Sequence, residues 1–348
     1  MKISQLYIYP VKSLRPTSLT EAAITKHGLN YDRRFMLLKV KDEDTGDLEN
    51  MHVADYPELT LFLTDLVLPG EGDDGGSIRV TYQPAGSDSS QNRKTLEIPL
   101  DPDVQGLREL DIVMHKSPTK GYDMGHEFNN WFSECLGYKV ILAHLGQNRR
   151  PVLGSLSPNA AAQKQQDANG GGGWLSMMKN SVSLLSGSGG DDSQITFADC
   201  APFLVVSETS LHNVSARLPE GEEMDITKFR PNIVVSGSEE EFEEDFWGEL
   251  TAGDEKAKLH LTANCTRCMS INVDFATGKY GTGESGKVLK KLMKDRRVDK
   301  GVKYRPVFGR YGFPDKASDG MTLRVGDEVD VSKRLIERTT FDWPGLSE

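Results

Sequence analysis

The sequence predicts an α+β, β-rich protein of two domains. Three observations carry that expectation. Apolar residues fall mainly in short runs that alternate or cluster as strands do, and few segments show helical spacing. The runs are punctuated by 34 glycines and 16 prolines, the residues that make turns. At 348 residues the chain is long enough for two ordinary cores.

The charge balance narrows the partners. With 41 basic against 52 acidic residues, net −11, no sustained basic track is expected for nucleic acid or anionic lipid, although a local basic pocket for one small anion remains open. No apolar run approaches the length of a transmembrane segment. Met1–Tyr9 alternates like a strand instead of forming a targeting peptide, so the expectation is a cytoplasmic protein with reduced thiols. Cys135, Cys200, Cys265 and Cys268 are too few and too unevenly spaced for a disulfide framework or a four-thiolate zinc site.

In order, Leu6 and Ile8 face one way and Tyr7 and Tyr9 the other, a strand that Pro10 ends, leaving Lys12 and Ser13 at its tip. A second extended segment, Leu19–Ile24, leads through Gly28 to Arg33 and Arg34 at the head of the apolar strand Phe35–Val40. Adjacent arginines there must point to opposite sides. Asp42–Asp47 reads as a hairpin loop, with short strands at Asn50–Val53 and Ile78–Tyr82 and flexible connections at Pro69–Gly76 and Gly86–Asn92. Gly125–Leu136 predicts an amphipathic helix with Phe128, Trp131, Phe132 and Leu136 on one face and Gly137 as its stop. Cys135 on that helix reads as structural. Tyr138–Leu142 returns as a strand.

From 154 to 192 the composition turns to Gly, Ser, Asn, Gln and Ala, predicting a flexible insertion in which Trp174–Met178 and Val182–Leu185 could form a transient helix. Beyond Cys200 and Ala201, Phe203–Val206 reads as a buried strand and Ser207 as the N-cap of a helix carrying Leu211, Val214 and Leu218, whose free backbone donors suit an anion. Arg230 and Asn232 precede the strand Ile233–Ser236. Ser238–Asp245, acidic apart from Ser238 and Phe242, reads as a solvated face or loop. A helix follows within Gly281–Arg297, then strands at Pro306–Phe313 and Met321–Val331 around the turn Gly326–Asp327.

The chemistry concentrates at Asn264–Met269, Asn-Cys-Thr-Arg-Cys-Met, where two of the four cysteines flank one arginine. Alternation on both sides (Leu259, Leu261; Met269, Ile271, Val273) places the thiols on a short connection between strands or at a strand's start. An isolated C-x-x-C can equally be two small buried residues. Lys12 with Ser13, Arg33 with Arg34, and Arg230 with Asn232 recur at strand ends. Converging, they would make a phosphate pocket beside Arg267. No dinucleotide fingerprint, Walker loop or nucleophile elbow is present, which leaves nucleotide-dependent redox chemistry and serine hydrolysis without an anchor. The seven histidines show no metal-ligand spacing.

Tyr9-Pro10-Val11-Lys12-Ser13, Asp32-Arg33, Ala201 to Glu208, Phe229-Arg230-Pro231-Asn232-Ile233, Cys265-Thr266-Arg267-Cys268, Pro306-Val307-Phe308-Gly309 and Val325 to Val329 together resemble the MOSC-domain proteins of the amidoxime-reducing-component type. The resemblance implies a MOSC N-terminal β-barrel domain at 1–145 and a MOSC β-barrel domain with a few flanking helices at 193–348. It implies a molybdenum cofactor (Mo-molybdopterin) whose metal is bound by Cys268, the catalytic residue. Lys12, Ser13, Arg33, Arg230 and Asn232 would hold the pterin and phosphate, Thr266 and Arg267 would lie close to the metal, and Cys200-Ala201 would touch the cofactor where hydroxyl residues are common. The membrane anchor of the mitochondrial members is not evident, though association with mitochondria would fit the family. The implied reaction is reduction of small N-hydroxylated compounds, with electrons from a partner redox protein, a b-type cytochrome and its flavin reductase. Against it stand a cofactor carrier or persulfide relay on Cys268, and a dithiol oxidoreductase using Cys265 and Cys268.

Overall fold

A computed structural model describes residues 1–42, 44–68, 75–86, 93–166 and 193–347. Its largest sheet has eight strands in the order Thr17–Leu19, Lys2–Ile8, Ile233–Ser236, Phe203–Ser207, Val307–Pro314, Ala257–Thr266, Trp247–Ala252 and Val329–Arg334. Phe203–Ser207 and Ile233–Ser236 pair in parallel, and the helix Glu208–Ser215 lies between them in the chain, the crossover that a parallel pair requires. Phe203 and Val205 join one core while Leu204 and Val206 join another on the opposite face. A strand covered on both faces must be apolar throughout, which accounts for the unbroken run that the sequence shows.

A five-stranded antiparallel sheet runs Glu109–Met114, Ser117–Asp123, Val140–His144, Phe35–Asp42, Asp47–Asn50, and a three-stranded one runs Phe62–Val67, Ser77–Tyr82, Lys94–Pro99. The helix His126–Leu136 joins their shared core through Phe132, whose ring centroid lies 5.6 Å from that of Phe62. Gly137 ends the helix in the left-handed region, as its composition predicts. The α+β, β-rich class is therefore observed. Among the described residues no helix is long and apolar enough to cross a membrane.

Several elements differ from the sequence expectation. Five strands of six or more residues escape it: Phe62–Val67, Lys94–Pro99, Glu109–Met114, Ser117–Asp123 and Trp247–Ala252. Lys94–Pro99 and Glu109–Met114 bury only every second residue, so their apolar signal is diluted by charged outward positions. The strand expected at Asn50–Val53 lies at Asp47–Asn50. Ser207 occupies the N-cap position of its helix but makes no capping bond; its hydroxyl pairs with that of Ser238. The acidic run is solvated only in part: Glu239, Glu240 and Glu241 are exposed, whereas Phe242, Glu244 and Asp245 are buried. Asp245 receives both Arg296 (2.8 Å) and Arg338 (2.7 Å), and buried charge is tolerated where it is paired.

The start of the 154–192 segment has structure: Leu156 is buried and Pro158–Gln166 is helical. Both expected helical stretches inside it, and most of the connections at Pro69–Gly76 and Gly86–Asn92, lie outside the described residues.

Candidate functional site

The strand Ala257–Thr266 pairs with Val307–Pro314 in a ladder whose register shifts between Asn264 and Thr266. Such an irregularity re-aims side chains. Cys265 ends up buried and Cys268 exposed, at the head of a 3₁₀ turn, Met269–Asn272. The thiols thus sit at a strand's end, and Met269–Asn272 is a turn where alternation predicts a strand. Arg267 folds back between them. Its Nη1 lies 2.7 Å from Cys265 Sγ, its Nη2 donates to the Phe229 carbonyl at 2.7 Å, and its amide donates to the Pro306 carbonyl at 2.8 Å. Burial pushes the Cys265 thiol up against the opposing pull of Arg267. Cys268 Sγ faces Ser270 Oγ at 3.2 Å.

Two more arginines close the same cleft. Arg33 donates to Asp32, to Asn232 Oδ1 (3.1 Å) and to the Arg230 carbonyl (3.2 Å). Arg230 Nη1 donates to the Leu14 carbonyl at 2.8 Å. Both guanidiniums stack on the Tyr9 ring, at 4.7 and 4.2 Å from its centroid. Asn232 is the joint of this assembly, because its Oδ1 accepts from Arg33 and from the Leu204 amide while its Nδ2 donates to the Tyr7 carbonyl. Ser13, Arg33 and Arg230 all hold positive φ, 72°, 50° and 59°. Non-glycine residues adopt that region at a cost and cluster at functional sites.

Arg33, Ala201, Arg230, Asn232, Thr266, Arg267 and Cys268 line one cleft, together with Asp199 and Tyr311, which the sequence did not single out. Three residues of the expected set stand behind its wall. Lys12 is buried and paired with Asp199, the Ser13 hydroxyl donates to the Met51 carbonyl at 2.9 Å, and Cys200 is buried. The N-terminus of the helix Glu208–Ser215, where the sequence suggests an anion spot, takes no part in this cleft.

The field of the cleft is cationic. Burial, helped by Arg33, brings Arg230 down to about 10, and no carboxylate lies within ion-pair distance of it among the described residues. Arg33 is held up by Asp32 despite its burial. Burial would raise the Asp199 carboxyl, yet Lys12 and His115 hold it well below the usual range. Burial also pushes Cys200 and Tyr311 well above their ordinary values. His52 and His115 stack at 5.3 Å beside Asp199, an arrangement without any signal in sequence spacing. Burial and then Lys12 lower His52 to about 4. A half-buried cation outside ion-pair distance of any carboxylate among the described residues, beside an exposed thiol, can receive an anionic group and present a soft sulfur ligand to a metal.

Comparison with known proteins decides the family. Residues 1–139 match the MOSC N-terminal beta barrel domain and residues 192–330 match the MOSC domain. The chain is a MOSC-domain protein. This MOSC protein is 29% identical over 332 residues to mitochondrial amidoxime-reducing component 1 of Mus musculus, an alignment covering 94% of the chain and 81% of that relative. It is 28% identical over 333 residues to the Homo sapiens counterpart, with 94% and 82% covered. It is also 25% identical over 341 residues to molybdenum cofactor sulfurase of Arabidopsis thaliana, covering 94% of the chain but 35% of that longer protein.

Proposed function

We propose that this MOSC protein is a molybdenum-cofactor-dependent reductase of small N-hydroxylated compounds, supplied with electrons by a partner redox protein, a b-type cytochrome with its flavin reductase. The observation that carries the reading is the exposed Cys268 thiol sharing a cleft with Arg230, a half-buried cation with no carboxylate within ion-pair distance among the described residues. The relatives named amidoxime-reducing components support the same chemistry.

The residues fit the cofactor. Arg230 Nη2, Arg267 Nε and Tyr9 Oη are buried without hydrogen-bond partners, and buried polar atoms rarely go unpaired without a reason. A phosphate between Arg230 and Arg33 would satisfy the first and compensate the charge. Cys268 would be the ligand for the metal, since its sulfur is the exposed soft donor at the cleft; Cys265 lines the cleft as well, but it is buried and bonded to Arg267. Lys12 and Ser13 act from behind the wall. Lys12 fixes Asp199, and Ser13 fixes the Met51 loop against the turn that carries both. Thr266, Ala201 and Cys200 shape the wall next to the thiol.

Bound there, the molybdenum cofactor would supply the two-electron chemistry that takes the oxygen from R–NH–OH, giving R–NH₂ and water with two protons. The chain's part is to hold and orient. Asp199, half-exposed, lines the cleft and is held in place by Lys12 and by His115 Nε2 at 3.4 Å. The test is metal and pterin analysis of purified protein combined with reduction of an amidoxime by an artificial electron donor. The reading expects near one cofactor per chain and turnover. Molybdenum without turnover would make the chain a carrier, and sulfane sulfur on Cys268 without molybdenum would make it a relay.

A further inference from the structure

Arg33 and Arg34 point to opposite sides of one strand head, and only Arg33 reaches the cleft described above. Arg34 lines a second cleft with Arg149, Lys26, His27 and Thr196. The two clefts are back to back. Phe197 N donates to the Arg33 carbonyl at 3.0 Å and Leu145 N to the Arg34 carbonyl at 2.9 Å, so the strand head forms the partition.

The two arginines have a structural task that occupies only part of them. Arg34 Nη2 and Arg149 Nη1 donate to the Gly146 carbonyl at 2.7 and 3.1 Å, and Arg149 Nη1 also reaches the Asn148 carbonyl at 2.5 Å. Each guanidinium has five N–H donors. Arg34 Nη1 and Arg149 Nη2 hold no protein partner among the described residues, and Arg34 Nε, Arg149 Nε and Asn148 Nδ2 are buried with none. No carboxylate lies within ion-pair distance of either guanidinium among the described residues, and Asp101 acts on Arg34 only from farther away. Of the acids at this cleft, Asp32 is taken by Arg33 and the Tyr9 amide, and Asp319 accepts from the Lys26 amide. Burial and then Arg34 lower Arg149 to about 10, and burial with both arginines lowers the adjacent His144 to about 3. The region is short of negative charge.

The geometry points to a second oxyanion site, in which Arg34 and Arg149 bind a phosphate group in the cleft between Thr25–Arg34 and Thr196. Two guanidiniums with unused Nη groups match a dianion with several acceptor oxygens, whereas a carboxylate would leave one charge unanswered. The site lies apart from the Cys268 cleft and does not depend on what that cleft binds.

The experiment uses the protein as purified. Inorganic phosphate is titrated by calorimetry in phosphate-free buffer, and arginine modification by a dicarbonyl reagent is mapped by mass spectrometry with and without phosphate. The expected result is selective protection of Arg34 and Arg149, with binding weakened about ten- to a hundredfold in Arg34→Gln and Arg149→Gln. Sulfate should compete and acetate should not. Protection confined to Arg33 and Arg230, no protection, or acetate binding as well as phosphate would overturn the assignment. Should either variant fail to fold, the footprint of the unaltered protein decides alone.

Discussion

Arg230 is the residue with least reason to be where it is unless an anion joins it. It sits after a 3₁₀ turn in the left-handed region, ahead of Pro231, with one N–H group spent on Leu14 and another buried without a partner. Desolvating a charge costs unless it is paired, and Arg230 has no carboxylate within ion-pair distance among the described residues. Arg230→Met should therefore leave the melting temperature of cofactor-free protein unchanged or raised. Cofactor retention should fall about ten- to a hundredfold, the worth of one charge-assisted contact. Equilibrium dialysis against thermal melts separates the two. Arg33 and Arg230 were legible because each precedes an apolar strand at a recognisable motif. Tyr311 was not, since a tyrosine in a strand reads as core, and His52 and His115 come together only through the fold.

At the scale of the element, strands buried on one face and the acidic run were the hard parts. Asp245 finds Arg296 and Arg338 far along the chain, and no local pattern announces partners that distant. Glu244, beside it, takes a hydrogen bond from Ser210 at 2.7 Å, and burial raises its carboxyl from 4.5 to about 7. Above pH 4.5 the unfolded chain gives up this proton while the folded chain keeps it to about pH 7. Its contribution is therefore present at low pH and lost as pH rises through that window. Glu244→Gln should flatten this fall, gaining about 3 kcal/mol on the unaltered protein between the ends of the window. Urea unfolding at a series of pH values reads the difference.

The segment opening at Gly154 gives another element-scale prediction. Gly154 has φ 64° and an added Cβ would stand 1.9 Å from the Asp342 carbonyl oxygen, whereas Gly221 has φ 83° and open space around it. Gly154→Ala should cost about 1–3 kcal/mol more than Gly221→Ala, combining overpacking with backbone strain in the first and strain alone in the second. Equal melting temperatures would mean that the C-terminal tail does not pack there. Composition marked this region as a polar insertion, and composition does not show which glycine is pressed against a distant carbonyl.

Across the whole molecule, the N-terminal strand is not confined to the sheets of its own half. Lys2–Ile8 pairs with Ile233–Ser236 and with Thr17–Leu19 inside the large sheet, and Ile3, Leu6 and Ile8 belong to the core of that sheet. Residues 193–347 expressed alone would expose the edge of Ile233–Ser236 and the apolar face beneath it. They should give no cooperative unfolding transition, and adding residues 1–30 in trans should not suffice without the partition that Arg33 and Arg34 form. The cleft at Cys268 draws on both ends of the chain for the same reason.

The central claim is that Cys268, and not Cys265, joins the protein to the metal. Its most direct test is molybdenum-dependent reduction of an amidoxime per bound cofactor in Cys268→Ser and Cys265→Ser, driven by an artificial donor so that partner docking plays no part. Serine at 268 replaces a soft thiolate by a hard, protonated oxygen, so turnover should collapse while pterin held by Arg33 and Arg230 is retained. Serine at 265 buries a hydroxyl beside Arg267 and should lower stability with turnover still measurable. Retained turnover in Cys268→Ser, or equal loss in both, would contradict the account.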